Sequence, residues 1–255
     1  MLVAGAAGLF DGDPKAPFPM PPTAIPHFPI LVIDTASTLT HVGLGSTAGS
    51  WFWHESSEES GTALFRGVDS CLKKHQLALG SIRTVIFCEG PGSMLGIRTA
   101  AMAIRTWKAT EVLTDTLVLA YTSLALASRG MLSEAASTPF AVAIDARRRS
   151  WYCLNSDPSP ESAPTTRRVP ADEVDTISSV VFLPRGFPVW NQRPEEWRDC
   201  PYEPKWLEDL EMRNAILHPV DPPDAFIIDP PVYQRWTPTI SRPVTPASPE
   251  EGVKR

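Results

Sequence analysis

Apolar residues fall in short runs over the first 155 positions, and their spacing switches between the strand and helix periods. Ile30-Leu31-Val32-Ile33 is a buried-strand run that ends in Asp34. A polar turn, Asp34-Thr35-Ala36-Ser37-Thr38, leads into the alternating His41-Val42-Gly43-Leu44. Trp51-Phe52-Trp53 follows a Gly/Ser break, so the three runs predict a meander. From Ser60 to Leu77 the apolar positions 64, 68 and 71/72 have helical spacing, with Lys73, Lys74 and His75 suited to the negative end of the helix dipole. A strand over Val85–Cys88, a helix over 94–111, a strand over Leu117–Ala120 and a helix over 123–129 complete the order βββαβαβα. After Pro139 the opening pattern recurs. Ala141-Val142-Ala143-Ile144 ends in Asp145, and a turn at Arg147-Arg148-Arg149 leads to Ser150–Leu154. This weak repeat of 30–44 at 141–154 predicts two related lobes. Further on, Val180–Leu183 and Ala225–Ile228 read as strands and Pro204–Leu217 as one helix.

Proline sharpens this division. Of 27 prolines, seven lie in residues 1–30, two in 31–150 and eighteen in 151–255. Proline is expelled from helix interiors and central strands. Regular structure is therefore expected to concentrate in 31–150, with a loop-rich remainder and an extension, 1–29, outside the fold. Met20 precedes the first strand run by ten residues, so the functional start is expected either there or ahead of a floppy extension. The net charge of −6 argues against autonomous duplex binding. The clusters Arg147-Arg148-Arg149 and Arg167-Arg168 read as solvated loop charges. No apolar run reaches the length of a membrane span. The four cysteines form no CxxC pair and the five histidines no HxxxH pair, which leaves no metal motif and points to a reducing, cytoplasmic setting.

Gly90-Pro91-Gly92-Ser93, followed by Met94–Arg98, is the strongest local signal, a glycine loop between a strand and a helix. Such a loop can present helix N–H groups to an anion. It lacks the Gly-Lys-Ser/Thr of a P-loop and the GxGxxG of a dinucleotide fold, so a tight turn capped by Ser93 is the favoured reading. The helix after it is apolar on more than one face, which favours a partner surface over a doubly covered core helix. Asp34 and Asp145 end strands, where carboxylates form turns or hold a metal nucleotide.

Together, ILVIDTAST, GPGSMLGIRTAAMA, TSLALAS and AIDARRRSWYC resemble the TsaB (YeaZ) family of the machinery that forms N6-threonylcarbamoyladenosine on tRNA. Pro231-Val232-Tyr233-Gln234-Arg235 is similar to that family's closing motif. The resemblance implies an α/β actin-like ATPase (ASKHA, ribonuclease H-like) fold. Its N-terminal lobe would span 30–135, its reduced C-terminal lobe 136–240 and a tail 241–255. It implies a non-catalytic scaffold without cofactor or metal. That scaffold would bind a TsaD-like catalytic subunit or pair with itself, recruit a TsaE-like ATPase and meet tRNA only through the complex. Ile97, Ala100, Ala101, Ile104 and Trp107, with Leu64 and Val68, are the expected interface residues. Gly90, Pro91, Gly92, Ser93 and Arg98 form the motif loop, and Asp34, Thr35, Ser37 and Asp145 mark a vestigial phosphate cleft. The alternative is a small-molecule kinase of the same fold using Asp34, Thr35 and Asp145. A peptidase, the remaining rival, lacks both HxxxH and a nucleophile elbow.

Overall fold

The computed structural model describes residues 25–132, 139–156, 165–178, 180–226 and 228. The closing 231–235 motif, most of the extension and the expected lobe boundary near 135 lie outside the described residues. The expected meander is present as β1 (Ile30–Asp34), β2 (Thr40–Thr47) and β3 (Ser50–Ser56). It continues into α1 (Ser60–His75), β4 (Thr84–Gly90), α2 (Met94–Ala109), β5 (Leu117–Thr122) and α3 (Ser123–Met131). The second part holds β6 (Phe140–Asp145), β7 (Ser150–Ser156), β8 (Thr166–Pro170), β9 (Val181–Pro184), β10 (Arg198–Cys200), α4 (Leu210–Ile216) and β11 (His218–Pro219).

Two mixed sheets carry the fold. The first has strand order β11-β5-β4-β1-β2-β3 and the second β10-β9-β6-β7-β8. In each, an antiparallel hairpin, β1–β2 or β6–β7, lies beside a parallel strand, β4 or β9. The internal repeat thus has a structural counterpart. Strand alternation divides the core. Leu31, Ile33, Val85 and Phe87 face α1 and α2. Ile30, Val32, Ile86 and Leu119 face α3 and join Phe140, Val142 and Ile144 of the second sheet in one cluster. Ala141, Ala143, Trp151 and Cys153 form a third cluster on the far side of that sheet. The two lobes therefore share a core. All four cysteines are free and buried. Burial pushes the Cys71 and Cys153 thiols up to about 12.

Three expectations are corrected. Arg167 and Arg168 lie in β8, paired with Cys153 and Tyr152 of β7, and not in a loop. Pro204–Leu217 divides into a 3-10 turn (Pro204–Glu208) and α4, because Asp209 leaves the helical backbone and caps α4 by accepting from the Glu211 N–H at 2.9 Å. Ala225 and Phe226 are not in a strand but end a strap that follows β11.

The strap crosses the flank of α2. Arg105 donates to the Pro223 carbonyl at 2.6 Å and pairs with Asp224 at 3.0 Å, and Lys108 pairs with Asp221 at 3.1 Å. At its two ends, His218 meets Glu89 at 3.2 Å and the Phe226 N–H donates to the Glu89 carbonyl at 2.8 Å. The hydrogen bond to Glu89 holds the His218 pKa above its ordinary 6.5. A raised pKa contributes stability below the unfolded value and loses it as pH rises through the folded one. The melting temperature is expected to fall as pH rises from the ordinary imidazole value of 6.5 through the raised one, and His218→Gln to flatten that fall in a thermal-melt series.

Candidate functional site

Asp34 ends β1 at the centre of the first sheet and is fully buried. Both of its carboxylate oxygens accept hydrogen bonds from this chain. Oδ1 accepts from the Ala36 N–H at 2.9 Å, while Oδ2 accepts from the Tyr121 hydroxyl at 2.6 Å and the Tyr202 hydroxyl at 2.5 Å. Burial first, and then the Asp34 charge, holds both phenols well above their ordinary pKa, so they remain protonated donors. Tyr202 reaches Asp34 from the second lobe and packs edge-on against Phe187, with ring centroids 4.9 Å apart. The Thr38 N–H donates to the Gly186 carbonyl at 2.8 Å, which ties the same turn to the loop carrying Phe187. Thr35 is buried and Ser37 nearly so. At Asp34 the expected phosphate cleft is occupied by Tyr121 and Tyr202 of the protein itself.

Asp145 repeats the arrangement in the second sheet. Oδ1 accepts from the Arg147 N–H at 2.6 Å, and Oδ2 from the N–H groups of Trp190 and Asn191 at 2.7 and 2.6 Å. The turn that it anchors has Arg147, Arg148 and Arg149 all left-handed, with φ of 58°, 49° and 55°. A left-handed non-glycine residue costs about 1 kcal/mol, and three in a row need external support. Asp145 supplies part of it. The Ser150 hydroxyl donates to the Arg147 carbonyl at 2.7 Å and the Ala171 N–H to the Arg149 carbonyl at 2.8 Å.

The glycine loop serves packing. The Ser93 N–H donates to the Ala36 carbonyl at 2.7 Å, and Ser93 Oγ accepts from the Gly96 N–H at 3.4 Å as the expected cap. A Cβ on Gly92 would meet Ala36 O at 2.2 Å, and one on Gly96 would meet Thr35 O at 2.4 Å. The start of α2 therefore lies directly on the β1–β2 turn, where no phosphate could enter between them. Pro91 is buried, and its carbonyl accepts from the Ser123 hydroxyl at 2.5 Å. Thr35 Oγ1 is buried without a partner, but a metal nucleotide would compete with the three donors that the chain supplies to each aspartate, so the pair is better suited to anchoring turns than to ligating a metal. Among the described residues no three His, Cys, Asp or Glu side chains gather as ligands.

The expected interface residues need correction. Ile97, Ala100, Ala101, Ile104, Leu64 and Val68 are all buried in the chain's own core. Their stripes on α1 and α2 face the sheet, and an apolar period is the same whether a sheet or a partner covers it. Trp107 is half-buried and packs edge-on against Phe65, with centroids 6.2 Å apart. The face left open runs along Leu95, Arg98, Met102 and Thr106, spaced three, four and four residues apart. Leu95 is 72% exposed, Met102 54% and Phe65 52%. Phe65, Arg98, Thr99, Met102, Ala103, Thr106 and Trp107 line a shallow groove of ≈ 410 Å³ there. Helical spacing separates Leu95/Met102 from Ile97/Ala101/Ile104 and could have distinguished the two stripes. Nothing local in the sequence points to Tyr121 or Tyr202 as partners of Asp34.

Residues 54–198 match the family model described as TsaD: tRNA N6-adenosine threonylcarbamoyltransferase. The chain belongs to this family. Among solved structures, YeaZ from Pseudomonas aeruginosa is similar at 22% identity and TM-score 0.51, covering 67% of this chain and 82% of its own. A second structure, of an uncharacterized protein with similarity to peptidase YeaZ from Pseudomonas aeruginosa, is also 22% identical. Its TM-score is 0.56, covering 81% of this chain and 99% of its own. No curated protein matches the sequence. This TsaD-family chain thus has the YeaZ-like, actin-like ATPase fold, and its family connects it with threonylcarbamoyladenosine formation on tRNA.

Removing the Tyr202 hydroxyl leaves the buried Asp34 one donor short. Tyr202→Phe is expected to lower unfolding stability by about 2 kcal/mol in urea titrations, the range for a hydrogen bond to a charged group. A loss under about 0.5 kcal/mol would mean that the phenol is not a significant support.

Proposed function

We propose that this protein is a non-catalytic scaffold of the TsaB kind. It binds a TsaD-like catalytic subunit and so supports threonylcarbamoyl transfer to adenosine in tRNA. One observation carries the reading. The strand-end aspartates each accept three hydrogen bonds from the chain's own donors, while an apolar groove on α1 and α2 is open to solvent. A helix face with Leu95, Met102 and Phe65 exposed, flanked by Arg98, suits a partner helix that brings apolar side chains and a carboxylate. Catalysis belongs to the partner, and the reading includes a TsaE-like ATPase in the same complex and a cytoplasmic setting. The buried thiols agree with a reducing compartment. Among the described residues no helix is long and apolar enough to cross a membrane.

The corrected geometry selects the variant. Met102→Arg puts a charge into the groove without touching the core, and burying it unpaired against a partner is expected to weaken association with a TsaD-like subunit at least tenfold in sedimentation velocity. The melting temperature should stay within a degree or two, as for an exposed substitution. Ala101→Arg would instead unfold the protein, because Ala101 is only 1% exposed. Undiminished association of the folded Met102→Arg protein would remove the groove as the interface. Threonylcarbamoyl transfer to tRNA by this chain alone would overturn the non-catalytic reading.

A further inference from the structure

The β6–β7 turn is an exception on an acidic protein. Arg147, Arg148 and Arg149 are all exposed, and among the described residues no carboxylate forms an ion pair with any of them. Asp145, at the foot of the turn, is directed at backbone N–H groups. It sets the shape of the turn, and among the described residues no ion pair offsets the arginine charge. The turn is also held unusually firmly for an exposed one. Asn191 Nδ2 donates to the Ser150 carbonyl at 2.8 Å, and Arg168 Nε donates to Ser150 Oγ at 2.8 Å. Beside it stands Trp190, 57% exposed, with the Arg147 guanidinium 4.2 Å from its ring centroid. Strain concentrates where a segment has a task beyond packing. A rigid cationic turn next to an exposed, arginine-stacked indole is the combination that binds phosphates and stacks on a base.

We propose that this turn and Trp190 form an RNA-contacting surface. The arginines take backbone phosphates, and the indole takes an unstacked base of a single-stranded loop. A duplex offers no such base, so loop RNA is the favoured ligand. The inference goes beyond the scaffold reading, which requires no RNA contact from this chain, and it does not depend on the α1–α2 groove.

The test uses fluorescence anisotropy of a labelled tRNA transcript with the full chain across a salt series. Arg148→Gly/Arg149→Gly is the central variant, because glycine adopts the left-handed backbone freely and the turn keeps its shape. Its melting temperature is expected to equal or exceed that of the wild type. Its RNA affinity should fall about tenfold, and the slope of log affinity against log salt should shrink by about 1.4, the share of two phosphate contacts on a single strand. Trp190→Ala should weaken binding about tenfold and leave the slope unchanged. Failure of the wild type to bind at low salt, or equal binding by the double variant, overturns the proposal. So does a third outcome, in which polyphosphate competes as well as RNA and Trp190→Ala binds normally, since the turn would then be a general anion site.

Discussion

The buried carboxylate of Asp34 is the constraint on which the rest of the molecule depends. A charge without exposure must be met by donors, and the chain brings them from three separate places: the next turn, the end of β5 and the second lobe. That requirement draws Tyr202 across from a segment 168 residues away and brings Phe187 and Gly186 down onto the β1–β2 turn. The lobes are thereby closed on each other around a shared core. The strand-end aspartates act here as structural anchors.

Closure at the cleft has a counterpart on the opposite side of the first sheet. The faces of α1 and α2 that meet the sheet are small and apolar and allow close approach, with Ala100, Ala101 and Ala103 among them. The flank near Arg105 and Lys108 is held by the strap. The groove bearing Leu95, Met102 and Phe65 is covered by neither. The sheet-facing stripes are thus covered by the chain itself, and the groove is offered outward.

Much of this was legible in the sequence. The meander, α1, α2, β5 and α3 carry clean periodicity, and the second aspartate-terminated hairpin could be seen as a repeat. Ser93 capped its helix as the loop pattern required. What escaped is physically consistent. β8, β10 and β11 are short, and the first two are arginine-bearing strands on sheet edges, where burial imposes no alternation. The α2 stripe is visible in the sequence but what covers it is not, so periodicity alone does not divide Ile97, Ala101 and Ile104 between core and partner, and the sheet buries all three. Tyr121 and Tyr202 carry no motif and acquire their role only through contacts distant in sequence.

With Tyr121 and Tyr202 on Asp34, and backbone N–H groups on Asp145, the strand-end aspartates are not open to a nucleotide. Calorimetric titration of the full chain with Mg-ATP checks this. No saturable heat is expected at millimolar ligand. Saturable binding that is abolished by Asp34→Asn would contradict it, because Asp34 would then have to leave Tyr121 and Tyr202 and face a ligand.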